Sequence, residues 1–208
     1  MRIEKVAPGP DRVGRYTVSF ENGSVMRLYR QTIEDFGIYA GKELDEQTYT
    51  QLETAAGEMS AKMRAVRIIS ASSVSKGDLR QRLVQKGEDP EQAKQAVQWL
   101  SDMDLLDDRK TAEQVVSSCI RKGYGLARAK QALYEKRIPK EYWSDALEDY
   151  PDQQDAIVSF LRSRLGSSWD EKTLRKATDA LIRRGHNYGN IRRALETLSI
   201  DNEFLEEA

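Results

Sequence analysis

Two short runs near the N-terminus are built from β-branched and aromatic residues: Tyr16-Thr17-Val18-Ser19-Phe20 and Val25-Met26-Arg27-Leu28-Tyr29. Glu21-Asn22-Gly23-Ser24 joins them, and Asn-Gly supplies the positive φ angles of a hairpin turn. Tyr16, Val18 and Phe20 alternate onto one face. A lone hairpin is barely stable, so the pattern predicts packing on a helix or on a third strand near Ile3 to Val6. Around Thr32 to Phe36, and again from Asp45 to Ala56, apolar positions recur at helical spacing, with Asp45 placed to cap the second stretch.

From about Glu58 the sequence repeats itself. Leu83-Val84-Gln85-Lys86-Gly87 aligns with Leu133-Tyr134-Glu135-Lys136-Arg137 and with Leu181-Ile182-Arg183-Arg184-Gly185. Without gaps, Leu79, Ala129 and Ala177 coincide upstream. Downstream, Asp89, Pro139 and Asn187 coincide, then Ala93, Trp143 and Ile191, then Val97, Leu147 and Leu195. Each copy reads as three helices. The first helices carry Ala65, Ile68 and Ile69; Ala112, Val115, Val116 and Cys119; and Ala156, Ile157, Phe160 and Leu161. Leu79 and Leu83 mark the buried stripe of a middle helix.

Lys86, Lys136 and Arg184 end the middle helices, favouring the negative pole of the macrodipole. Gly87 and Gly185 are placed to adopt the left-handed conformation that closes a helix, whereas Arg137 departs from that rule. Asp89, Pro90 and Gln92 form the N-terminal signature of a third helix, including a capping box, and Asn187 caps its equivalent. A unit this short buries little alone. The expected fold is therefore mainly α, with three tandem three-helix repeats in a curved array behind a small N-terminal β-hairpin plus helix extension. The boundaries fall at 1–57 for the extension, then 58–106, 107–150 and 151–208 for the repeats.

Charge sharpens this picture. The 208-residue chain carries a net charge of −1, but unevenly. Residues 61–86 hold seven basic and one acidic side chain, residues 121–140 seven and one, and residues 171–195 seven and two. The segments that follow reverse the sign: 87–113 hold three basic and eight acidic residues, 141–155 none and six, 196–208 none and five. Basic helices aligned on one face would track a polyanion. The alternative is that complementary stripes pair between neighbouring repeats and hold the array together. Cys119, the single cysteine, requires no oxidising compartment, no stretch reaches the ~20 apolar residues of a membrane span, and no apolar signal follows Met1. A cytoplasmic protein is expected.

Catalytic constellations are missing. His186, the only histidine, has no second histidine or nearby cysteine for a zinc site and no triad partners; a contact to backbone or phosphate suits it better. Cys119 lies on the apolar stripe of a helix and reads as a core thiol. Lys122-Gly123-Tyr124-Gly125 is a turn between helices, without the spacing of a phosphate loop. Asp102, Asp104, Asp107 and Asp108 match no calcium-loop spacing and read as a linker and N-cap. Trp99 and Trp143 read as packing residues. Trp169 suits either a staple at a helix start or an exposed stacking platform, and Tyr124 and Tyr188 flank basic turns. No enzyme, cofactor or metal is expected.

The run Ser75-Lys76-Gly77-Asp78-Leu79-Arg80-Gln81-Arg82-Leu83-Val84-Gln85-Lys86-Gly87 resembles the recurring middle-helix signature of the RecX family. Leu105 to Ala112 resembles the approach to that family's second repeat, and Leu133 to Ile138 the next copy, with Arg137 in place of the usual glycine. The resemblance covers about residues 58–200, and the N-terminal hairpin and helix resemble the extension of longer members.

It implies a regulator of homologous recombination that binds RecA, commonly within the groove of the RecA–DNA filament, and blocks its extension or promotes its disassembly. Some members also bind single- or double-stranded DNA directly; no membrane or small-molecule substrate is implied. Contacts to phosphates or acidic RecA surfaces then fall to Arg80, Arg82 and Lys86; to Arg121, Lys122, Arg128, Lys130 and Lys136; and to Arg175, Lys176, Arg183, Arg184, Arg192 and Arg193. Competing expectations are a helical nucleic-acid-binding module without a RecA partner, and an adaptor that uses its acidic helices.

Overall fold

The computed structural model describes residues 1–9, 14–166, 170–198 and 200; Trp169 lies outside them. The chain divides into two compact units, Met1–Leu106 and Asp107–Ala208.

The first unit opens with three antiparallel strands in the order β1-β2-β3: β1 (Ile3–Pro8), β2 (Arg15–Phe20) and β3 (Val25–Tyr29). The expected hairpin is β2–β3, with Val18 opposite Met26 and Gly23 at φ +81° in its turn, and the third strand is present where Ile3 to Val6 predicted it. Val18, Phe20, Ile3 and Leu28 are buried against Leu52. Phe20 meets Tyr49 edge-on at 5.4 Å, an arrangement favoured by the ring quadrupoles. A short α1 (Arg30–Asp35) follows.

Next comes α2 (Glu46–Ala71), a single 26-residue helix. Asp45 caps it, accepting from the Thr48 amide at 2.6 Å. The sequence pattern predicted two helical stretches here; one continuous helix instead serves both the sheet, through Leu52, and the following bundle, through Ala61 and Ala65. That bundle is completed by α3 (Lys76–Gln85) and α4 (Pro90–Asp102). Ser75 caps α3, and Asp89 caps α4 with Pro90 in its first turn. Leu79, Leu83, Ala93 and Leu100 form the core, with Trp99 packed against it. A fully buried leucine of this kind contributes roughly 2–3 kcal/mol.

The second unit holds two further three-helix groups. The first is α5 (Asp108–Arg121), α6 (Leu126–Glu135) and, after a 3₁₀ turn at Lys140–Tyr142, a five-residue α7 (Trp143–Leu147). Asp107 caps α5, and the Trp143 indole donates to the Ile138 carbonyl at 3.0 Å. The second group is α8 (Gln154–Leu165), α9 (Glu171–Arg183) and α10 (Tyr188–Thr197), around Ile157, Leu161, Leu174, Leu181 and Leu195. Asn187 caps α10, accepting from the Asn190 amide at 2.8 Å.

Gly87 and Gly185 take the expected left-handed conformation, at φ +88° and +85°. Arg137 takes it as well, at φ +54°, so the repeat geometry prevails over the side chain's preference.

Candidate functional site

The two groups of the second unit are locked by a crossing of turns. The Gly125 amide donates to the Arg184 carbonyl at 2.9 Å and the Ala127 amide to the Gly185 carbonyl at 3.3 Å. A Cβ on either Gly125 or Gly185 would collide with the opposite backbone. The Arg184 guanidinium donates to the Lys122 carbonyl at 2.7 Å and lies over the Tyr124 and Phe160 rings, 5.2 Å from each centroid. The Tyr150 hydroxyl donates to the Tyr124 carbonyl at 2.7 Å, and burial pushes that phenol up to about 12.

His186 sits in this joint, its Nε2 at 3.1 Å from the Gly123 carbonyl, which is the backbone contact its turn position predicted. Burial, aided by the Arg184 charge, lowers its pKa against the opposing effect of the Gly123 carbonyl. Cys119 is buried and its thiol is pushed up by desolvation, as a core residue rather than a nucleophile.

A cavity of about 520 Å³ adjoins the joint, lined by Lys130, Asp152, His186, Asn187, Asn190 and Arg193 among others. Its donors are largely consumed. Arg193 pairs with Asp152 at 3.1 Å and with Asn190, the Gly125 and Ala127 amides serve the crossing, and Asn187 occupies the α10 N-terminus.

Several of the fourteen cations expected to form a contact surface serve such local partners. Arg82 pairs with Asp78 at 2.9 Å, Arg128 with Glu135 at 3.0 Å and Arg175 with Glu171 at 3.6 Å. Arg184 belongs to the joint, and Lys136 is half-buried at the α6 C-cap. Arg80, Lys86, Arg121, Lys122, Lys130, Lys176, Arg183, Arg192 and Arg193 are exposed. The ion pairs Arg109–Asp145, Arg128–Glu135 and Arg193–Asp152 each stay within one helical group of the second unit.

In the first unit the structure brings Arg82 and Lys86 together with two residues the sequence reading did not single out. Arg64 and Arg67 of α2 face them across a cleft of about 300 Å³, completed by Ile68, Ala71 and Ser72. Arg64 pairs with the buried Glu88, whose carboxylate also accepts from the Ser60 hydroxyl at 3.1 Å. The available signal was their spacing of three within the first helix of the first repeat, which puts them on one face. Tyr134 and Tyr188 are exposed, at 67% and 53%, whereas Tyr124 is engaged under Arg184.

Tandem three-helix groups with basic middle helices, behind a small sheet, define a helical repeat protein. Residues 107–147 match the family profile described as RecX, second three-helix domain. The regulatory protein RecX of Stenotrophomonas maltophilia (strain R551-3) is 30% identical over 140 residues, covering 66% of this chain and 86% of that protein. That of Leuconostoc citreum (strain KM20) is 21% identical over 204 residues, covering 94% and 76%. A crystal structure of a regulatory protein RecX shares the fold with a TM-score of 0.63 at 20% identity, covering 94% of this chain and 98% of the other. The RecX structure from Lactobacillus salivarius gives 0.58 at 21% identity, covering 70% and 98%. The chain belongs to the RecX family, whose members named here are regulatory proteins rather than enzymes.

Proposed function

We propose that this protein regulates a RecA recombinase in the cytoplasm, inhibiting it by binding the RecA–DNA filament through the basic faces of its helical repeats. Membership of a family of regulatory proteins carries this reading. The structure adds support through exposed cations present in each helical group: Arg80 and Lys86, Arg121 and Lys130, Lys176 and Arg183. Such side chains suit the phosphates and acidic surfaces of a nucleoprotein filament, at a cost in affinity as salt rises.

The test is RecA ATPase on single-stranded DNA, titrated with the full chain. Substoichiometric loss of turnover is expected. Lys130→Glu with Arg183→Glu should weaken the effect several-fold at unchanged helicity; Arg128 is excluded because it already holds Glu135. Unchanged ATPase alongside salt-sensitive DNA binding would refute the RecA assignment in favour of a nucleic-acid-binding module. Loss of neither activity in the variant would remove the basic faces from the mechanism.

A further inference from the structure

We propose that the cleft between α2 and α3 is a built phosphodiester site, a place where one backbone phosphate of DNA is held by Arg64, Arg67, Arg82 and Lys86. The proposal rests on the reading above and locates a contact within it.

The arrangement is unfavourable for folding alone. Arg64 and Arg67 stand three residues apart on α2, and Arg82 of α3 stands four residues before Lys86 at that helix's C-cap, so each helix presents a like-charge pair toward one side. Both pairs line the same cleft. Two carboxylates offset part of the charge, Glu88 on Arg64 and Asp78 on Arg82. Among the described residues Arg67 meets the Tyr29 hydroxyl, at 3.4 Å, and Lys86 is exposed. Four cations against two anions leave a surplus of two positive charges at one concave place.

Compensation of helix dipoles explains only part of this. Arg67, Arg82 and Lys86 lie near the C-terminal ends of their helices. The dipole effect fades beyond the last turn, however, and Arg64 sits seven residues before the end of α2.

The carboxylates also order the site. Glu88 is buried, is held by the Ser60 hydroxyl, and fixes one guanidinium; Asp78 sits at the capped start of α3 and fixes another. Guanidinium groups held in place lose less entropy on binding an oxyanion, and their planar forks match phosphate oxygens. A volume of about 300 Å³ accepts a phosphate with part of its flanking sugars, and Ile68 and Ala71 give the sugar methylenes an apolar wall.

The experiment is anisotropy of a labelled oligothymidylate titrated with the full chain across a salt series. Arg67→Gln with Lys86→Gln should weaken binding ~10-fold. It should also flatten the dependence of log Kobs on log salt by roughly 0.7, the value of one phosphate contact on a single strand. Lys5→Gln with Arg27→Gln removes the same charge from the sheet and should leave the slope unchanged. Arg67→Lys with Lys86→Arg should restore it.

Equal losses from both neutral pairs would mean diffuse attraction and overturn the site. So would an unchanged slope in Arg67→Gln with Lys86→Gln at wild-type fold. If that variant kept its DNA binding but no longer affected RecA ATPase, the cleft would take a protein carboxylate and the phosphodiester assignment would be wrong. A wild-type chain that neither bound DNA nor altered RecA would refute the proposed function itself, whereas wild-type inhibition with an insensitive cleft would refute only the site.

Discussion

Gly87 and Gly185 occupy equivalent positions after α3 and α9 and adopt nearly the same backbone, at φ +88° and +85°. Their surroundings differ. A Cβ at Gly87 meets nothing within 4 Å, while one at Gly185 would collide with the Arg128 backbone. The pair therefore separates the intrinsic cost of a left-handed residue from the cost of opening a joint.

Gly87→Ala should lose only the conformational term, ~1–2 kcal/mol. Gly185→Ala should lose that term and disturb the crossing as well. Two backbone hydrogen bonds, Gly125 to Arg184 and Ala127 to Gly185, together with the Arg184–Lys122 bond, are at stake. At ~1 kcal/mol each, these bonds with the conformational term give a total loss of ~4–5 kcal/mol. Urea unfolding gives the free energies, and hydrogen exchange at the Gly125 and Ala127 amides localises the effect. Those amides should lose protection in Gly185→Ala and keep it in Gly87→Ala. Similar losses from both substitutions, or protection retained in Gly185→Ala, would show that the turns do not hold the second unit together.

Two further outcomes follow from the same geometry. Arg137→Gly removes a side chain from a φ of +54° and should stabilise the protein by ~0.5–1 kcal/mol in thermal or urea unfolding, because the relief of strain exceeds the added freedom of the unfolded chain; a loss of stability would refute it. His186 is held with a pKa below the ordinary 6.5, so the unfolded state takes up its proton first as pH falls. Its contribution is complete above pH 6.5 and declines as pH drops from there through the lowered folded value, at no more than ~1.4 kcal/mol per pH unit. The difference in unfolding free energy between wild type and His186→Gln should shrink over that window, and a difference independent of pH would be inconsistent with a neutral buried imidazole.

Much of the fold was legible because it is written in local signals repeated along the chain. Asp45, Asp89 and Asn187 cap the helices they were expected to cap, and the leucine stripe of each middle helix is buried. The continuity of α2 was not legible, since the repeat suggested a break near Gly57. That glycine is helical, and its missing Cβ leaves room for the Gln92 side chain, which lies against it. Gln92, expected to complete a capping box, thus contributes to packing on α2. The third helix of the middle group is also shorter than its pattern suggested, a 3₁₀ turn running into the five residues of α7.

The candidate site was less legible, because a charge count records no partners. Lys86, Lys136 and Arg184 align in sequence and each follows a middle helix, yet they serve different ends. Lys86 lines an open cleft, Lys136 is half-buried at its cap, and Arg184 is spent on a carbonyl and two aromatic rings. The divergence has a physical cause. Where another helical group packs against the turn, as at Gly185, a long cation gains more from carbonyls and ring faces than from solvent. Where the turn stays open, as at Gly87, the same charge remains available. A repeat thus places a cation at each middle-helix end, and the neighbour it meets decides whether that cation holds the protein together or is left to hold something else.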